Sequence, residues 1–159
     1  MPTDVPTGLT GVILAAGQGS RLRSAKLDLP KCLLEIGGKT IIDRQLNTLD
    51  ALNILDVLVV VGYRGELIKR QLGNRVRYHT YNAWASSNNF LTLWRARNAL
   101  QGGFVCLFAD VICDSQEVSN VVKSPSDICA LVDTSAVLAG TMRVQRRPIA
   151  CSLSVVIFR

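Results

Sequence analysis

Short, unbroken apolar runs recur along the chain, separated by segments in which apolar residues return with a helical period. Such runs are typical of strands that are buried on both faces of a sheet, as in parallel sheets covered by helices. The pattern predicts strands over 9–15, 56–62, 76–80, 104–109 and 128–132.

The segments between these runs carry signals that begin and end helices. The spacing of their apolar residues predicts helices over 40–52, 66–72, 89–100 and 115–123. Gly73 and Gly102 follow two of them as stop signals, and Ser115 is the expected N-cap of the last. Strands and helices in alternation predict an α/β fold, with a mostly parallel sheet flanked by helices on both faces.

The pattern changes after Asp133. Residues 134–159 contain no acidic residue and lose the alternation of strands and helices, although 151–158 have the composition of one more strand. We therefore expect a folded core over 1–133 and an atypical tail over 134–159, with the C-terminal part truncated or altered.

The composition excludes several classes of protein. Of the 159 residues, 48% are apolar and 19% are charged, which excludes a disordered or collagen-like chain. The apolar runs are too short to cross a bilayer, and the first residues do not have the composition of a signal peptide. We expect a cytoplasmic protein with one core and no membrane span.

The net charge of +6 is unevenly distributed. Four arginines fall within residues 134–159, so the rest of the chain is only mildly basic. That balance suits a small phosphorylated ligand as well as a polynucleotide. Because no arginine-rich stripe interleaved with aromatic residues is visible, we expect no nucleic-acid partner.

The five cysteines form no CxxC pair, and the single histidine, His79, is far from all of them in sequence. The spacing of a metal cage is therefore absent. The odd cysteine count and the expected reducing compartment favour buried structural thiols.

The segment 11–43 carries the clearest chemical signal. Its first strand runs into a loop with Gly17 and Gly19, followed by Ser20, Arg21 and Lys31. Glycines let the backbone approach a phosphate and turn its amides toward it. The guanidinium of Arg21 can grip phosphate oxygens as a planar fork, and Lys31 adds a point charge.

Two better-known phosphate loops do not match this segment. The tripeptide at 38–40 would complete a Walker loop, but Leu33 stands where the earlier glycine is required. A dinucleotide fingerprint fails because Leu22 replaces its third glycine. An ordinary strand–helix turn is the structural alternative for Gly17 and Gly19.

The stretches LAAGQGSRL (14–22) and PKCLLEIGGKTIIDRQL (30–46) resemble the signature of the nucleotidyltransferase superfamily, with the MobA-like or sugar-phosphate nucleotidyltransferase fold. The resemblance extends over about 10–133 and implies a Rossmann-like sheet. Within the superfamily, YNAWASSNNFLTLWRARNAL (81–100) resembles cytidylyltransferases that act on small phosphoalcohols, of the phosphocholine or inositol-phosphate type.

The resemblance implies a role for each matching residue. Arg21 and Lys31 are the implied catalytic residues, which hold the phosphates. Asp110 is the implied metal-binding aspartate, although Ala109 replaces the glycine that usually precedes it. Contacts with the nucleotide are implied for Leu14, Ala15, Ala16, Gly17, Gly19, Ser20, Asn88 and Asn89.

Some of these residues also have ordinary structural interpretations. Asn88 and Asn89 fit equally well as the N-cap of the next helix, and Asp110 fits as a turn residue. The family normally supplies a second metal-binding aspartate from a late segment, and nothing beyond Asp133 matches that segment.

The implied activity is transfer of a nucleoside monophosphate, with CMP from CTP as the preferred case, to a small phosphorylated alcohol or sugar phosphate. Pyrophosphate would be released, and Mg²⁺ is the expected cofactor. The acceptor phosphate is already a nucleophile, so the reaction needs alignment and charge neutralisation more than a general base. The alternative is an inactive nucleotide-binding remnant that lacks the acceptor half. An NAD-dependent enzyme is disfavoured by Leu22.

Overall fold

The protein was analysed as a computed structural model that describes residues 5–19, 28–133, 143–145 and 150–158. The strands are β1 (Thr10–Ala15), β2 (Glu35–Ile36), β3 (Lys39–Thr40), β4 (Asp56–Val61), β5 (Arg77–Thr80), β6 (Phe104–Phe108), β7 (Ile128–Asp133), β8 (Arg143–Gln145) and β9 (Ala150–Phe158). The helices are α1 (Ile41–Ala51), α2 (Gly65–Leu72), α3 (Asn89–Ala96) and α4 (Ser115–Val122), and short 3₁₀ turns occupy Lys31–Leu33, Trp84–Ser86 and Arg97–Ala99.

Four parallel strands form the centre of the main sheet, in the order β5-β4-β1-β6. In this register Leu14 of β1 is level with Phe108 of β6, and Ala15 is level with Val61 of β4. The carboxyl ends of these strands therefore meet along one edge. The predicted α/β fold with a mostly parallel sheet is confirmed.

The strand predicted over 151–158 is also confirmed, as β9. It runs antiparallel between β6 and β7, so that Val156 pairs with both Cys106 and Ala130. The strand β8 pairs with β9 beyond this path. The strand predicted over 128–132, β7, is thus separated from β6 by a segment that is distant in sequence. The division of the chain into 1–133 and 134–159 stays a prediction.

Both faces of the sheet are buried, as continuous apolar strands require. In β1, Ile13 packs into a cluster with residues of α1, α2 and α4, including Ile42 and Ile68. Its neighbours Val12 and Leu14 belong to a second cluster on the other face, which contains Ala96 of α3. The alternation of side chains along a strand thus distributes β1 between two cores.

Two helix ends differ from the prediction. Asp114, rather than Ser115, is the N-cap of α4: its Oδ1 accepts from the amide of Gln116 at 2.7 Å, and Glu117 Oε2 accepts from the amide of Asp114 at 3.1 Å. This reciprocal capping box satisfies two amides, which Ser115 inside the first turn could not do. The helix α3 ends at Ala96, before a 3₁₀ turn, so the prediction of an end at 100 with Gly102 as cap was wrong.

Cys32, Cys106, Cys113 and Cys129 are free thiols. Cys32 and Cys106 are buried, and loss of solvation raises the pKa of each to about 12. Burial and the nearby Glu117 carboxylate raise the pKa of Cys113 to about 11. These values keep the thiols protonated at neutral pH, in agreement with a structural role. None of the helices in the described ranges is long and apolar enough to span a membrane.

Candidate functional site

A pocket opens at the edge of the sheet where β1 and β6 end. Its volume is about 210 Å³. Seven of the residues predicted for the site line it: Leu14, Ala15, Gly17, Gly19, Lys31, Asn89 and Asp110. Four others also line it: Pro30, Cys32, Phe108 and Ala109. Ligands of open α/β sheets bind at the carboxyl ends of strands, so the place agrees with the fold.

Gly19 allows the loop after β1 to lie against Lys31. Its φ of 66° is in the left-handed region, which glycine adopts readily. A Cβ at this position would come within 2.5 Å of Lys31 Cε and 2.7 Å of its Cγ. Any side chain here would therefore displace the lysine, and the glycine has two separate physical reasons to be there.

Lys31 is held by a 3₁₀ turn that follows Pro30. The amide of Leu33 donates to the Pro30 carbonyl at 2.9 Å, and the amide of Leu34 donates to the Lys31 carbonyl at 3.0 Å. Cys32 and Leu33 are buried and anchor the turn in the core. The backbone of Lys31 is thereby fixed while its side chain remains 24% exposed at the pocket.

Asp110 enters the pocket from the turn that follows β6. The amide of Val111 donates to the Phe108 carbonyl at 3.1 Å, which closes a four-residue turn with Asp110 in its third position. The amide of Ala109 donates to the Leu14 carbonyl at 3.3 Å and ties the turn to β1. Lys31 Nζ then lies 3.0 Å from Asp110 Oδ2, although the two residues are 79 positions apart in sequence.

The two asparagines before and at the start of α3 have different positions. Asn88 is the N-cap, with its Oδ1 accepting from the amide of Leu91 at 2.9 Å. Asn89 lines the pocket. From the sequence, each asparagine could be the N-cap or contact the nucleotide. In the structure Asn88 is the N-cap, and Asn89 is the one that lines the pocket. Of the other predicted residues, Ala16 is buried, and its carbonyl accepts from the amide of Tyr63 at 2.9 Å.

Ser20 and Arg21 lie outside the described residues, so their predicted roles stay predictions. The described residues on the far side of that gap begin at Asp28. The Asp28 carboxylate accepts from the Tyr63 hydroxyl and the Arg64 guanidinium. Tyr63 also makes an edge-to-face contact with Trp84, with ring centroids 5.2 Å apart.

The brace formed by Asp28, Tyr63 and Arg64 was missed from the sequence. Its hydrogen bonds attach Asp28, which precedes the Lys31 turn, to the segment after β4. The amide of Tyr63 attaches the same segment to Ala16, directly after β1. Gly62 makes the approach possible, since a Cβ there would be 2.7 Å from the Ala16 carbonyl oxygen. The glycine after a buried strand was the available signal, but its partners could not be read from it.

The charges in the described part of the pocket suit a polyanion accompanied by a cation. Asp110 is 51% exposed and paired with Lys31, and the described residues include no group of three or more His, Cys, Asp or Glu side chains that could hold a metal alone. Mg²⁺ usually takes one or two carboxylates together with substrate phosphates. The single exposed carboxylate of Asp110 is compatible with that use of Mg²⁺.

The fold and this site define a class: doubly wound α/β proteins with a glycine-containing loop at the carboxyl edge of the sheet, suited to a phosphorylated ligand. The sequence profile of the MobA-like NTP transferase domain matches residues 11–138. The chain therefore belongs to this family, as the signature at 14–22 and 30–46 predicted.

Two curated relatives illustrate the kind of enzyme that the chain resembles. It is 27% identical over 135 residues to a CTP:phosphoglutamine cytidylyltransferase of Campylobacter jejuni, which covers 80% of this chain and 53% of that protein. It is 32% identical over 100 residues to a choline-phosphate cytidylyltransferase of Streptococcus pneumoniae. That match covers 61% of this chain and 43% of the relative. The chain thus spans about half the length of these relatives.

Solved structures show the same fold. The inositol-1-phosphate CTP transferase from T. maritima superimposes with a TM-score of 0.73 over 94% of this chain and 69% of the other, at 18% sequence identity. At this level of sequence identity the superposition shows a shared fold.

Proposed function

We propose that the protein transfers CMP from CTP to a small phosphorylated alcohol or sugar phosphate and releases pyrophosphate. The observation that carries the proposal is the convergence of the Gly17–Gly19 loop, Lys31 and Asp110 on one pocket. The family and the two cytidylyltransferase relatives support the reaction class and favour CTP as the donor.

The proposed chemistry matches the groups in the pocket. An oxygen of the acceptor phosphate attacks the α-phosphorus of CTP, a new P–O bond forms, and the bond to the β-phosphate breaks as pyrophosphate leaves. The acceptor oxygen is already anionic, so no proton needs to be removed from it. The task of the protein is to hold two anions together and neutralise their charge.

Lys31 is proposed to supply that neutralisation from the protein side. Its backbone is fixed by the buried turn, so its ammonium can leave Asp110 for a phosphate oxygen without rearrangement of the chain. The Gly17–Gly19 segment leaves space for phosphates beside it: apart from its chain neighbours, no atom of the described residues lies within 4 Å of a Cβ built on Gly17. Preorganised charge of this kind lowers the barrier because it needs no reorganisation during the reaction.

Asp110 is proposed to hold Mg²⁺ jointly with the nucleotide phosphates. When bound, Mg²⁺ would polarise the phosphoryl oxygens and offset the charge that develops on the leaving pyrophosphate. With no nucleotide present, the Lys31 ammonium neutralises the same carboxylate at 3.0 Å. Binding of Mg²⁺ and nucleotide together would therefore separate this pair and give each member a new partner.

Calorimetric titration of the chain with CTP, UTP, ATP and GTP, each with and without Mg²⁺, tests the nucleotide site. We expect CTP to bind most tightly and Mg²⁺ to increase its affinity. Turnover is then measured as pyrophosphate release with phosphocholine and inositol 1-phosphate as candidate acceptors. No binding of any nucleotide by the folded chain would contradict the proposal, and binding without turnover on a wide acceptor set would favour the inactive remnant.

Substitution of Lys31→Ala or Asp110→Ala is expected to abolish pyrophosphate release with little effect on folding. The two side chains form a partly exposed ion pair at the surface, and such pairs contribute about 0–1 kcal/mol to stability. Lys39→Ala, which removes an exposed lysine on β3 outside the pocket, is the matched control. Urea denaturation monitors stability in all three variants. Retained activity in both pocket variants would refute their assignment.

A further inference from the structure

The turn that carries Asp110 is held from beneath by a helix side chain. Gln45 of α1 donates from Nε2 to the Phe108 carbonyl at 2.7 Å and to the Val111 carbonyl at 2.7 Å. These carbonyls belong to the first and last residues of the four-residue turn, which flank Ala109 and Asp110. The two hydrogens of one amide group therefore clamp both ends of the turn.

Gln45 is buried, with 3% of its surface exposed, on a helix face that also carries Ile41, Ile42 and Leu49. Its other amide atom, Oε1, is buried and has no hydrogen-bond partner among the residues that the structure describes. A buried acceptor without a partner is unfavourable, so an apolar residue would suit packing on this face better. The two hydrogen bonds to the Phe108 and Val111 carbonyls explain why an amide side chain occupies this buried position.

The helix α1 makes a second hydrogen bond to the segment between β6 and α4, farther from Asp110. Thr48 Oγ1 donates to the Cys113 carbonyl at 3.2 Å, beyond the turn and three residues after Asp110. Gln45 and Thr48 thus attach successive parts of one loop to α1. Only Gln45 reaches the turn in which the aspartate lies, which makes Thr48 a matched comparison.

We propose that Gln45 is a positioning residue that fixes the 108–111 turn so that the Asp110 carboxylate faces the nucleotide phosphates and their metal ion. This inference rests on the proposed function, because that function gives Asp110 its ligand. Gln45 itself contacts no substrate; it acts through two backbone carbonyls. Mutation of a residue that orients a metal ligand in this way typically lowers the affinity for the metal by about 10–100-fold.

The test compares Gln45→Met with Thr48→Val and Ile42→Val. Methionine keeps the length and apolar packing of Gln45 but removes its donor. Thr48→Val removes the more distant contact, and Ile42→Val trims the same helix face without touching the loop, so it controls for lost stability. Binding of Mn²⁺ to the chain with CTP is followed by electron paramagnetic resonance, and exchange of the Val111 amide with solvent is followed by NMR.

For Gln45→Met we expect Mn²⁺ affinity in the presence of CTP to fall about tenfold or more, as for other residues that orient a metal ligand. CTP affinity without metal should stay at the wild-type value, and the Val111 amide should exchange faster because its turn is less constrained. Thr48→Val and Ile42→Val should leave both measurements unchanged. A loss of Mn²⁺ affinity in Ile42→Val of the same size would overturn the inference, since stability alone would then explain it.

The two readouts separate failure of this inference from failure of the proposed function. If the wild-type chain binds Mn²⁺ with CTP and Gln45→Met binds it equally well, the positioning role is refuted and the function stands. If the wild-type chain binds no Mn²⁺ with CTP, the proposed function fails, and with it the role of Gln45 toward a metal. Unchanged Val111 exchange in Gln45→Met would refute the clamp in either case.

Discussion

Gly19 illustrates how much of the site depends on single residues. Its left-handed backbone and its contact with Lys31 serve different purposes. The left-handed conformation sets the direction of the chain after β1. The absence of a side chain at Gly19 leaves room for Lys31 to lie beside Asp110. A substitution at Gly19 should therefore have two effects that can be measured separately.

Gly19→Ala is expected to lower stability and also to weaken nucleotide binding. A left-handed alanine costs about 1–2 kcal/mol. The new Cβ also displaces Lys31, and loss of one hydrogen bond to a charged group, about 1.5–3 kcal/mol, would weaken CTP binding about tenfold or more. Urea denaturation and calorimetric titration measure the two effects.

Gly102→Ala is the matched control for this prediction. Gly102 has a φ of 81°, and no atom in the described part of the chain, apart from its chain neighbours, lies within 4 Å of a built Cβ, so we expect the substitution to add backbone strain alone. We expect a similar loss of stability with unchanged affinity for CTP. Equal affinity for CTP in the two variants would show that the Gly19–Lys31 contact has no role in binding.

At the scale of elements, side-chain hydrogen bonds decide where helices begin and join the amino ends of neighbouring strands. The capping box of α4 depends on Asp114 and Glu117, which are three residues apart. The ends of β1, β4 and β5 are joined by Thr10, Asp56 and Arg77, which are far apart in sequence. The capping box could in principle be recognised from the sequence. The hydrogen bonds of Asp56 with Thr10 and Arg77 could be recognised only once the order of the strands was known.

Asp114→Ala should destabilise the protein by about 1 kcal/mol, because it removes the acceptor for the first amides of α4. Ser115→Ala should change stability little, since the structure gives the N-cap to Asp114. The midpoint of urea denaturation, at equal slope, measures both. A larger loss for Ser115→Ala than for Asp114→Ala would contradict the capping assignment.

Asp56 should give the protein a pH-dependent contribution to stability. Hydrogen bonds from Arg77 and then from Thr10 outweigh desolvation and lower the pKa of the Asp56 carboxyl below its usual value. Because the folded-state pKa lies below the unfolded one, the contribution is complete above that unfolded value. It is lost as the pH falls through the folded-state pKa.

Asp56→Asn should therefore reduce the free energy of unfolding at pH 7 by up to about 1 kcal/mol, the range for exposed ion pairs. The difference from wild type should shrink as the pH is lowered below about 4. Urea denaturation at pH 7 and pH 3 measures it, with Asp50→Asn, an exposed carboxylate on α1, as control. A difference that stays constant with pH would contradict the assignment.

At the scale of the whole molecule, the strand β9 links two parts of the described sheet. The strand β9 pairs with β6 on one side and β7 on the other. Without it, β6 would have a free edge, and β7 would lose the pairing that attaches it to the described sheet. The site is on the same sheet, because β6 ends at the turn that carries Asp110.

A chain that ends at Asp133 should therefore be less stable and more prone to self-association than the full chain. We expect its melting temperature to fall by about 5 °C or more, corresponding to roughly 1–2 kcal/mol. The exposed edge of β6 offers unpaired backbone groups to other copies. Thermal circular dichroism and size-exclusion chromatography measure these effects. An unchanged melting temperature would instead support the predicted division at 133.

The sequence by itself determined the central strands, most helix bounds and the family, because hydrophobic periodicity and the loop residues are local properties. It also assigned Lys31, Gly19 and Asp110 to one site through the signature. Only the tertiary structure decided that Lys31 pairs with Asp110, that Asn88 caps α3 while Asn89 lines the pocket, and that β9 separates β6 from β7. These outcomes depend on which distant segments pack together, and a periodic pattern specifies the face a residue presents but not its partner.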